Sequence, residues 1–446
     1  MRDVFLGADL GTSGLKLVAL EDGGAVVAEA EAGYDHDRPA PDRAEIDVAV
    51  WRRAFDTALA ELGPALDGAA VQALGLSGQM HGAVLVDAAG RAVHPALLWP
   101  DSRAGAELAS WRRLRRDDRA ALANPLVPGM TGPMVAWLAA HEPVAVARAA
   151  KVLLPKDALR ASLVPDGPLV TDRSDASGTL LWDVPVDAWS GAAARAAGIP
   201  FDLLPGVRPA AEVIGTAPLA GGDVPVVVGA ADTPLALLAA GTVDGMQVNL
   251  GTGVQVLRSG WTPEPADDPP VHGYADAGEG WYAMAALRNG GSAWAWVCVV
   301  LGLSWPELFE AAASVPDAGG AVFRPFLTGE RGGIARPEDR GGWDGLGAAT
   351  TRAHLARAAV EGVVRAIGAA GALLEPPEDG APVLLTGGGA RALVVQQLLA
   401  DELGRPVRHL RMRSASAVGA ALLAARGVAR DVLPEREIGP LVEPRA

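Results

Sequence analysis

The residues best suited to chemistry in this chain sit at the ends of short apolar runs. Residues 226–228 form a β-branched run that ends at Gly229, and Asp232 follows. A carboxylate at a strand end facing a cleft is placed to act as a general base. Aspartate is equally favoured as a helix N-cap, and the apolar stretch 234–240 behind it reads as a helix stopped by Gly241. Both roles stay open at this level. Residues 246–250 then read as a strand that enters Gly251-Thr252-Gly253 and leaves through 254–257. Glycine lets backbone N–H groups approach an anion and threonine adds a hydroxyl, so this turn reads as a phosphate cradle or as an ordinary hairpin. A second turn of the same kind, Gly11-Thr12-Ser13-Gly14, follows Asp9.

Elements must hold these turns. The first 30 residues read as a strand over 4–9, a strand over 15–20, a hairpin turn at Asp22-Gly23-Gly24 and a strand over 25–30. Trp51, Phe55, Leu59 and Leu62 have helical spacing. A strand over 71–77 ends in Gly78-Gln79-Met80-His81-Gly82, and Pro100-Asp101-Ser102-Arg103 opens a helix to about 114. Residues 171–179 are polar and loop-like. The second half reads as strand 282–287, helix 291–301, irregular 323–333, helix 354–370, strand 383–386 into Gly387-Gly388-Gly389, a helix to 403 and an alanine-rich helix over 416–425. The charged, proline-containing end reads as a surface tail. Strands alternating with helices predict an α/β fold. Asp9-Leu10-Gly11-Thr12 echoes Asn249-Leu250-Gly251-Thr252, each between two strands. This repeat predicts two duplicated lobes, 1–241 and 242–446, facing each other across a nucleotide cleft.

Composition narrows the partners. The chain has 446 residues and a net charge of −15. That disfavours nucleic acid and anionic membrane, whose phosphates call for a basic surface. The single cysteine, Cys298, rules out an intrachain disulfide and reads as a buried thiol on a packed helix. No signal peptide and no run of 18 uncharged apolar residues is seen, so a cytoplasmic location is expected. Lys16 follows the first turn without a Gly-x4-Gly-Lys-Ser/Thr pattern; it reads as a solvated hairpin lysine. Residues 387–392 satisfy Gly-x-Gly-x-x-Ala, but the stretch about 20 positions on is basic (405–413). Without a ribose-binding acid, the turn suits the adenosine of ATP better than a dinucleotide.

These residues resemble the FGGY carbohydrate kinases of the actin/hexokinase superfamily over nearly the whole chain. Asp9-Leu-Gly-Thr-Ser-Gly14 is similar to the family's first phosphate loop. Leu153-Leu-Pro-Lys-Asp157, Ser174-Asp175-Ala-Ser-Gly-Thr179, Thr328-Gly-Glu-Arg331 and Gly341-Gly-Trp-Asp-Gly-Leu346 are similar to further family blocks. Gly387-Gly-Gly-Ala-Arg391 resembles its adenosine motif, and Ser77-Gly-Gln-Met-His-Gly82 the sugar turn of the branch acting on D-xylulose. The chain departs from the family pattern at Met134, at Thr233-Pro234 and at Gly332-Gly333.

The resemblance implies two ribonuclease-H-like lobes and an ATP-dependent, Mg²⁺-requiring phosphorylation of a sugar, D-xylulose on O5, with gluconate, ribulose, glycerol or another polyol as alternatives and a non-catalytic sensor as a further one. Asp232 would be the base and Asp9 would hold Mg²⁺ through water. Gly11, Thr12 and Ser13 would face the γ-phosphate, Gly251, Thr252 and Gly253 the β-phosphate, and Gly387, Gly388, Gly389, Ala390 and Arg391 the adenosine. Met80 and His81 would bind the sugar. Trp99 would cover its apolar face or pack in the core. Asp101 and Arg103 would order its hydroxyls, Arg103 being otherwise a surface charge, and Asp175 would bind a hydroxyl or form a turn. A homodimer is also implied.

Overall fold

In the computed structural model, which describes residues 2–242, 244–330, 333–377 and 380–445, the strand Arg2–Leu10 is buried along most of its length. Its run Val4, Phe5, Leu6 calls for cover on both faces, so it lies mid-sheet. It pairs antiparallel with Gly14–Glu21 and parallel with Ala69–Gly78. The first seven-stranded sheet runs Val213–Leu219, Gly222–Val227, Ala69–Gly78, Arg2–Leu10, Gly14–Glu21, Val26–Gly33, with the short Ala230–Ala231 also paired to Ala69–Gly78. The second runs His272–Ala275, Trp281–Leu287, Val254–Ser259, Gly245–Leu250, Val383–Thr386, Val407–Arg411, Glu437–Val442.

The two sheets share one ladder pattern. Three antiparallel strands are followed by two parallel ones and an antiparallel edge, and the second sheet adds His272–Ala275 as a further antiparallel strand outside the first three. The repeat read in the sequence is therefore a repeat of topology. Asp9 sits opposite Ser77 on one parallel ladder, and Asn249 opposite Thr386 on its counterpart. Each sheet brings its glycine turn to the same end, between its first two strands.

One face of the first sheet is covered by the helix Val48–Leu62, which buries Trp51, Phe55, Ala58 and Leu62. The other face receives the alanine-rich helix Ala415–Gly427, which follows the second sheet in sequence but packs on the first. Small residues permit that approach. A Cβ on Gly7 would lie 1.9 Å from the Ala417 carbonyl oxygen, and one on Gly75 2.0 Å from that of Ala420. Gly75→Ala is therefore expected to destabilise the protein by about 1–3 kcal/mol through overpacking, read as a lowered Tm in thermal denaturation; an unchanged Tm would refute it. The second core gathers on the helix Arg352–Ala372, whose capping box between Thr351 and His354 gives that histidine its structural role. Cys298 is buried on its helix, as read.

Two expectations are corrected. The 171–179 stretch is not a loop: it holds the strand Val170–Thr171 and the helix Arg173–Ser177, started by the Asp172 side chain accepting from Ser174 N–H. Five residues are too few for a helical period to show. The end of the chain is not a free tail either. Glu437–Val442 pairs antiparallel with Val407–Arg411, and Glu435 N–H donates to Gly24 O at 2.8 Å, so the segment runs between the lobes. Its proline is tolerated because the strand is an edge. The helices Thr131–His141 and Trp305–Ala313 had no sequence reading. Arg331 of the Thr328–Arg331 motif and Gly332 of the Gly332-Gly333 departure lie outside the described residues. Among the described residues, no single helix is long and apolar enough to cross a membrane.

Candidate active site

The helix Asp232–Ala240 begins where Ala230–Ala231 ends on the first sheet, and Gly241 stops it in the left-handed region at φ 74°. Pro234 falls in its first turn, where a missing N–H has no cost. The cap residue is Ala231. Asp232 instead turns its own carboxylate onto Thr233: Oδ1 accepts from Thr233 N–H at 2.7 Å and from the Thr233 hydroxyl at 3.3 Å. Asp9, at the end of its strand, accepts from the Ser77 hydroxyl at 2.8 Å. Both carboxylates line one polar cavity of about 440 Å³, together with Asn249 and Gln255. Burial, then the nearby Asp9 charge, pushes the Asp232 carboxyl up to about 7. Burial also raises Asp9, against the Ser77 hydrogen bond and the charge of Lys16.

Lys16 thus departs from its sequence reading. It is the cross-strand partner of Asp9 and lines the same cavity. Residues directly opposite on an antiparallel ladder share a face, so a lysine opposite a cleft-facing aspartate faces the cleft.

A cleft of about 390 Å³ opens beside Asp232 and Thr233 and is floored by both glycine turns. Met80, His81 and Trp99 line it as well. Trp99 is 43 % exposed, which removes core packing as its role. Its indole N–H donates to the Thr12 hydroxyl at 2.9 Å; Thr12 in turn meets Gln79 Oε1 at 3.3 Å, and Gln79 donates to Gly11 O at 3.1 Å. This chain locks the first glycine turn to the Gln79-Met80-His81 turn. His81 holds φ at 72°, an unusual conformation for a residue with a side chain. Its Nδ1 lies 2.6 Å from Gly178 O and its ring packs 5.7 Å from Tyr274 of the second lobe. The Tyr282 hydroxyl meets Met80 Sδ at 3.7 Å.

Gly251 and Thr252 also border an apolar pocket of about 450 Å³ between Gly388-Gly389 and the rings of Trp305 and Phe309. A Cβ on Gly389 would sit 2.7 Å from Leu250 Cγ, so only glycine keeps that wall flat. Gly387 holds φ at 89° and borders the carboxylate cavity. The Gly251–Gly253 turn is pinned from behind: Gly251 O accepts from Gly291 N–H at 2.9 Å and Thr252 O from Ser292 N–H at 3.0 Å. The three cavities share walls and form one trench, from Met80-His81 past the carboxylates and glycine turns to Trp305.

Other predicted residues lie elsewhere. Ser13 is exposed at the tip of its turn, Ala390 is packed in the core and Arg391 faces outward. Asp101 and Arg103 do not line the cleft. Arg103 donates to Asp101 at 2.7 Å, pairs with Glu45 at 2.6 Å and stacks on Trp137, while Asp101 accepts from Ala44 N–H. Arg103 is buried, not a surface charge. Asp175 is buried beside Lys156, whose Nζ lies 3.0 Å from Asp175 Oδ2. In all three cases the charged group is taken up by a partner inside the fold. Gln79 and Asn249 were named from the sequence only as parts of their motifs, without a role, and Trp305 and Phe309 were not named; the last two sit four apart on the helix Trp305–Ala313.

Among the described residues no group of three or more His, Cys, Asp or Glu is gathered for direct metal coordination. The donor set present is Asp9 beside Asp232. Few protein oxygens in a polar cavity suit Mg²⁺, which keeps several of its waters.

Residues 4–239 match the N-terminal domain of the FGGY family of carbohydrate kinases and residues 246–428 its C-terminal domain. The xylulose kinase of Escherichia coli K12 is 34% identical over 452 residues, spanning 98% of this chain and 91% of that enzyme. The crystal structure of a xylulose kinase from Rhodospirillum rubrum superposes with a TM-score of 0.90 at 27% identity, over 99% of this chain and 94% of that one. A gluconate kinase from Lactobacillus acidophilus has the same fold, at a TM-score of 0.91 and 21% identity, over 100% of this chain and 94% of that one. With both family domains matched in order along a chain of two like-folded lobes, this protein belongs to the FGGY family of carbohydrate kinases and is an ATP-dependent sugar kinase.

Proposed function

We propose that the enzyme transfers the γ-phosphoryl group of ATP to O5 of D-xylulose, with Asp232 as the general base. One observation carries this reading: the Met80-His81 turn, Asp232 and both glycine turns border a single cleft. The sugar would lie against Met80, His81 and Trp99, with its terminal hydroxyl toward Asp232. Phosphoryl transfer needs alignment and charge stabilisation more than covalent help. The N–H groups of Gly11 and Gly251 close their own turns onto Gly14 O and Gly253 O, so the backbone N–H groups of Thr12, Thr252 and Gly253, with Lys16, would surround the phosphates. The adenine would enter the pocket between Gly388-Gly389 and Trp305. Asp9 would hold Mg²⁺, which neutralises phosphate charge when bound. Asp232 would take the hydroxyl proton as the oxygen attacks. The lobes divide near Gly241, and closure there would exclude water from the trench.

The pH dependence follows from the environment of Asp232. Its carboxyl is pushed up to about 7 by burial and by Asp9, and only the ionised form accepts a proton. In the free enzyme kcat/KM is therefore expected to rise as pH increases through about 7 and to level off above it. A flat profile from pH 5.5 to 8 would contradict the assignment.

Substrate identity is tested by ADP release over a panel of D-xylulose, D-ribulose, D-gluconate and glycerol. The expected result is the highest kcat/KM with D-xylulose. A higher value for another acceptor would replace it, and Thr233, which lines the cleft where the chain departs from the family pattern, is the residue such a result would implicate.

A further inference from the structure

Building on the reading of Asp232 as the base, we propose that the buried helix Arg173–Ser177 is a positioning element for the transfer, with the Ser174 hydroxyl holding the backbone from which Asp232 projects. Ser174 is fully buried. Its hydroxyl donates to Asp172 Oδ2 and accepts the N–H of Ala231 at 2.9 Å. Ala231 is the cap residue of the helix that starts at Asp232, in an extended conformation with ψ 159°. The carboxylate of Asp172 accepts the hydrogen bond that the hydroxyl donates, which leaves an oxygen lone pair of Ser174 for the N–H of Ala231. Only a side chain that both donates and accepts closes this relay.

The same turn reaches the acceptor site and the opposite lobe. Gly178 O, at its C-terminal end, meets His81 Nδ1 at 2.6 Å. The Ser177 hydroxyl accepts from Ala275 N–H of the second sheet at 2.9 Å and donates to Ser174 O at 2.9 Å. Arg173 donates to Gly278 O at 2.6 Å and lies over the Trp281 ring at 5.0 Å. One short helix thus contacts the support of the base, the sugar turn and the second lobe. Hydrogen bonds link all three through this helix, and misplacing a base by about 1 Å is enough to slow transfer about 100-fold. Ser174 touches no substrate; it acts through Ala231 and Asp232.

The test compares wild type, Ser174→Ala and Asp232→Asn. Steady-state kinetics give kcat and both KM values, and calorimetry gives the stoichiometry and affinity for D-xylulose and for ADP. Ser174→Ala is expected to keep full binding stoichiometry, with KM values within about threefold, while kcat per binding site falls about 10- to 100-fold. A kcat within about twofold of wild type overturns the proposal. So does a loss of activity that tracks a loss of binding stoichiometry, because a purely structural residue would change the number of sites and not the rate at each. Retained kcat in Asp232→Asn would instead remove the base assignment itself, a failure separate from that of Ser174.

Discussion

Asp232→Ala is expected to abolish sugar phosphorylation while the protein still binds ADP. Proton removal by a positioned carboxylate contributes about 10²–10⁴-fold, so kcat should fall into that range or below detection. Nucleotide binding should survive because the pocket formed by Gly388-Gly389, Trp305 and Phe309 does not include Asp232. Removing one of two neighbouring carboxylates also relieves repulsion on the phosphates, so ADP affinity should hold or improve in calorimetry. Asp232→Asn separates shape from proton acceptance, since the amide oxygen can still accept from Thr233 N–H and only the base is lost. Turnover near wild type in either variant would sink the assignment. Correct folding is checked by the binding stoichiometry of the same samples.

Much of this site was legible because its chemistry lies in local patterns. A carboxylate at a strand end and a glycine turn between two strands are visible in a few consecutive residues, and Asp9, Asp232, Gly251-Thr252-Gly253 and Met80-His81 meet in the trench for that reason. The repeated Asp9/Asn249 pattern announced the duplicated sheet, because Leu-Gly-Thr turns recur at matched points of the two ladders. What stayed hidden depends on partners distant in sequence. Asp101, Arg103 and Asp175 were open to a reading as sugar ligands, beside a surface charge for Arg103 and a turn for Asp175, because charges near a turn look the same whether they meet a ligand or each other. The Arg103 guanidinium finds Glu45, and Asp175 finds Lys156. The helix Arg173–Ser177 is polar yet buried, a combination that arises only once the lysine beneath it is in place. Lys16 needed the ladder register to be seen facing the cleft.

Lys156 carries the largest stability effect expected in the molecule. Lys156 is fully buried, and its ammonium lies 2.6 Å from Asp157 Oδ1, 3.0 Å from Asp172 Oδ1 and 3.0 Å from Asp175 Oδ2. Arg160 supplies a second cation, through Asp157 at 2.6 Å. Burial works against the charged ammonium, but the three carboxylates outweigh it and hold Lys156 well above its ordinary range. Lys156→Met fills the same space and removes the charge, which leaves Asp172 and Asp175 without the cation between them. Breaking a buried pair from one side costs about 3–5 kcal/mol, a large share of the roughly 5–15 kcal/mol by which a folded protein is stable. A lower Tm and a lower urea midpoint are expected. Asp175 is the carboxylate best able to respond: burial, with Asp172 and Asp157 nearby, already raises it well above the usual range despite Lys156. Without Lys156 it would take a proton and stay neutral. Asp175→Asn mimics that state, so the double variant Lys156→Met/Asp175→Asn should recover part of the lost stability, a coupling that a double-mutant cycle reads directly. Strict additivity of the two changes, or a Lys156→Met midpoint equal to wild type, would show that the cluster adds nothing to the fold. Because Asp172 also holds the Ser174 hydroxyl, the rescued double variant should regain stability before it regains turnover.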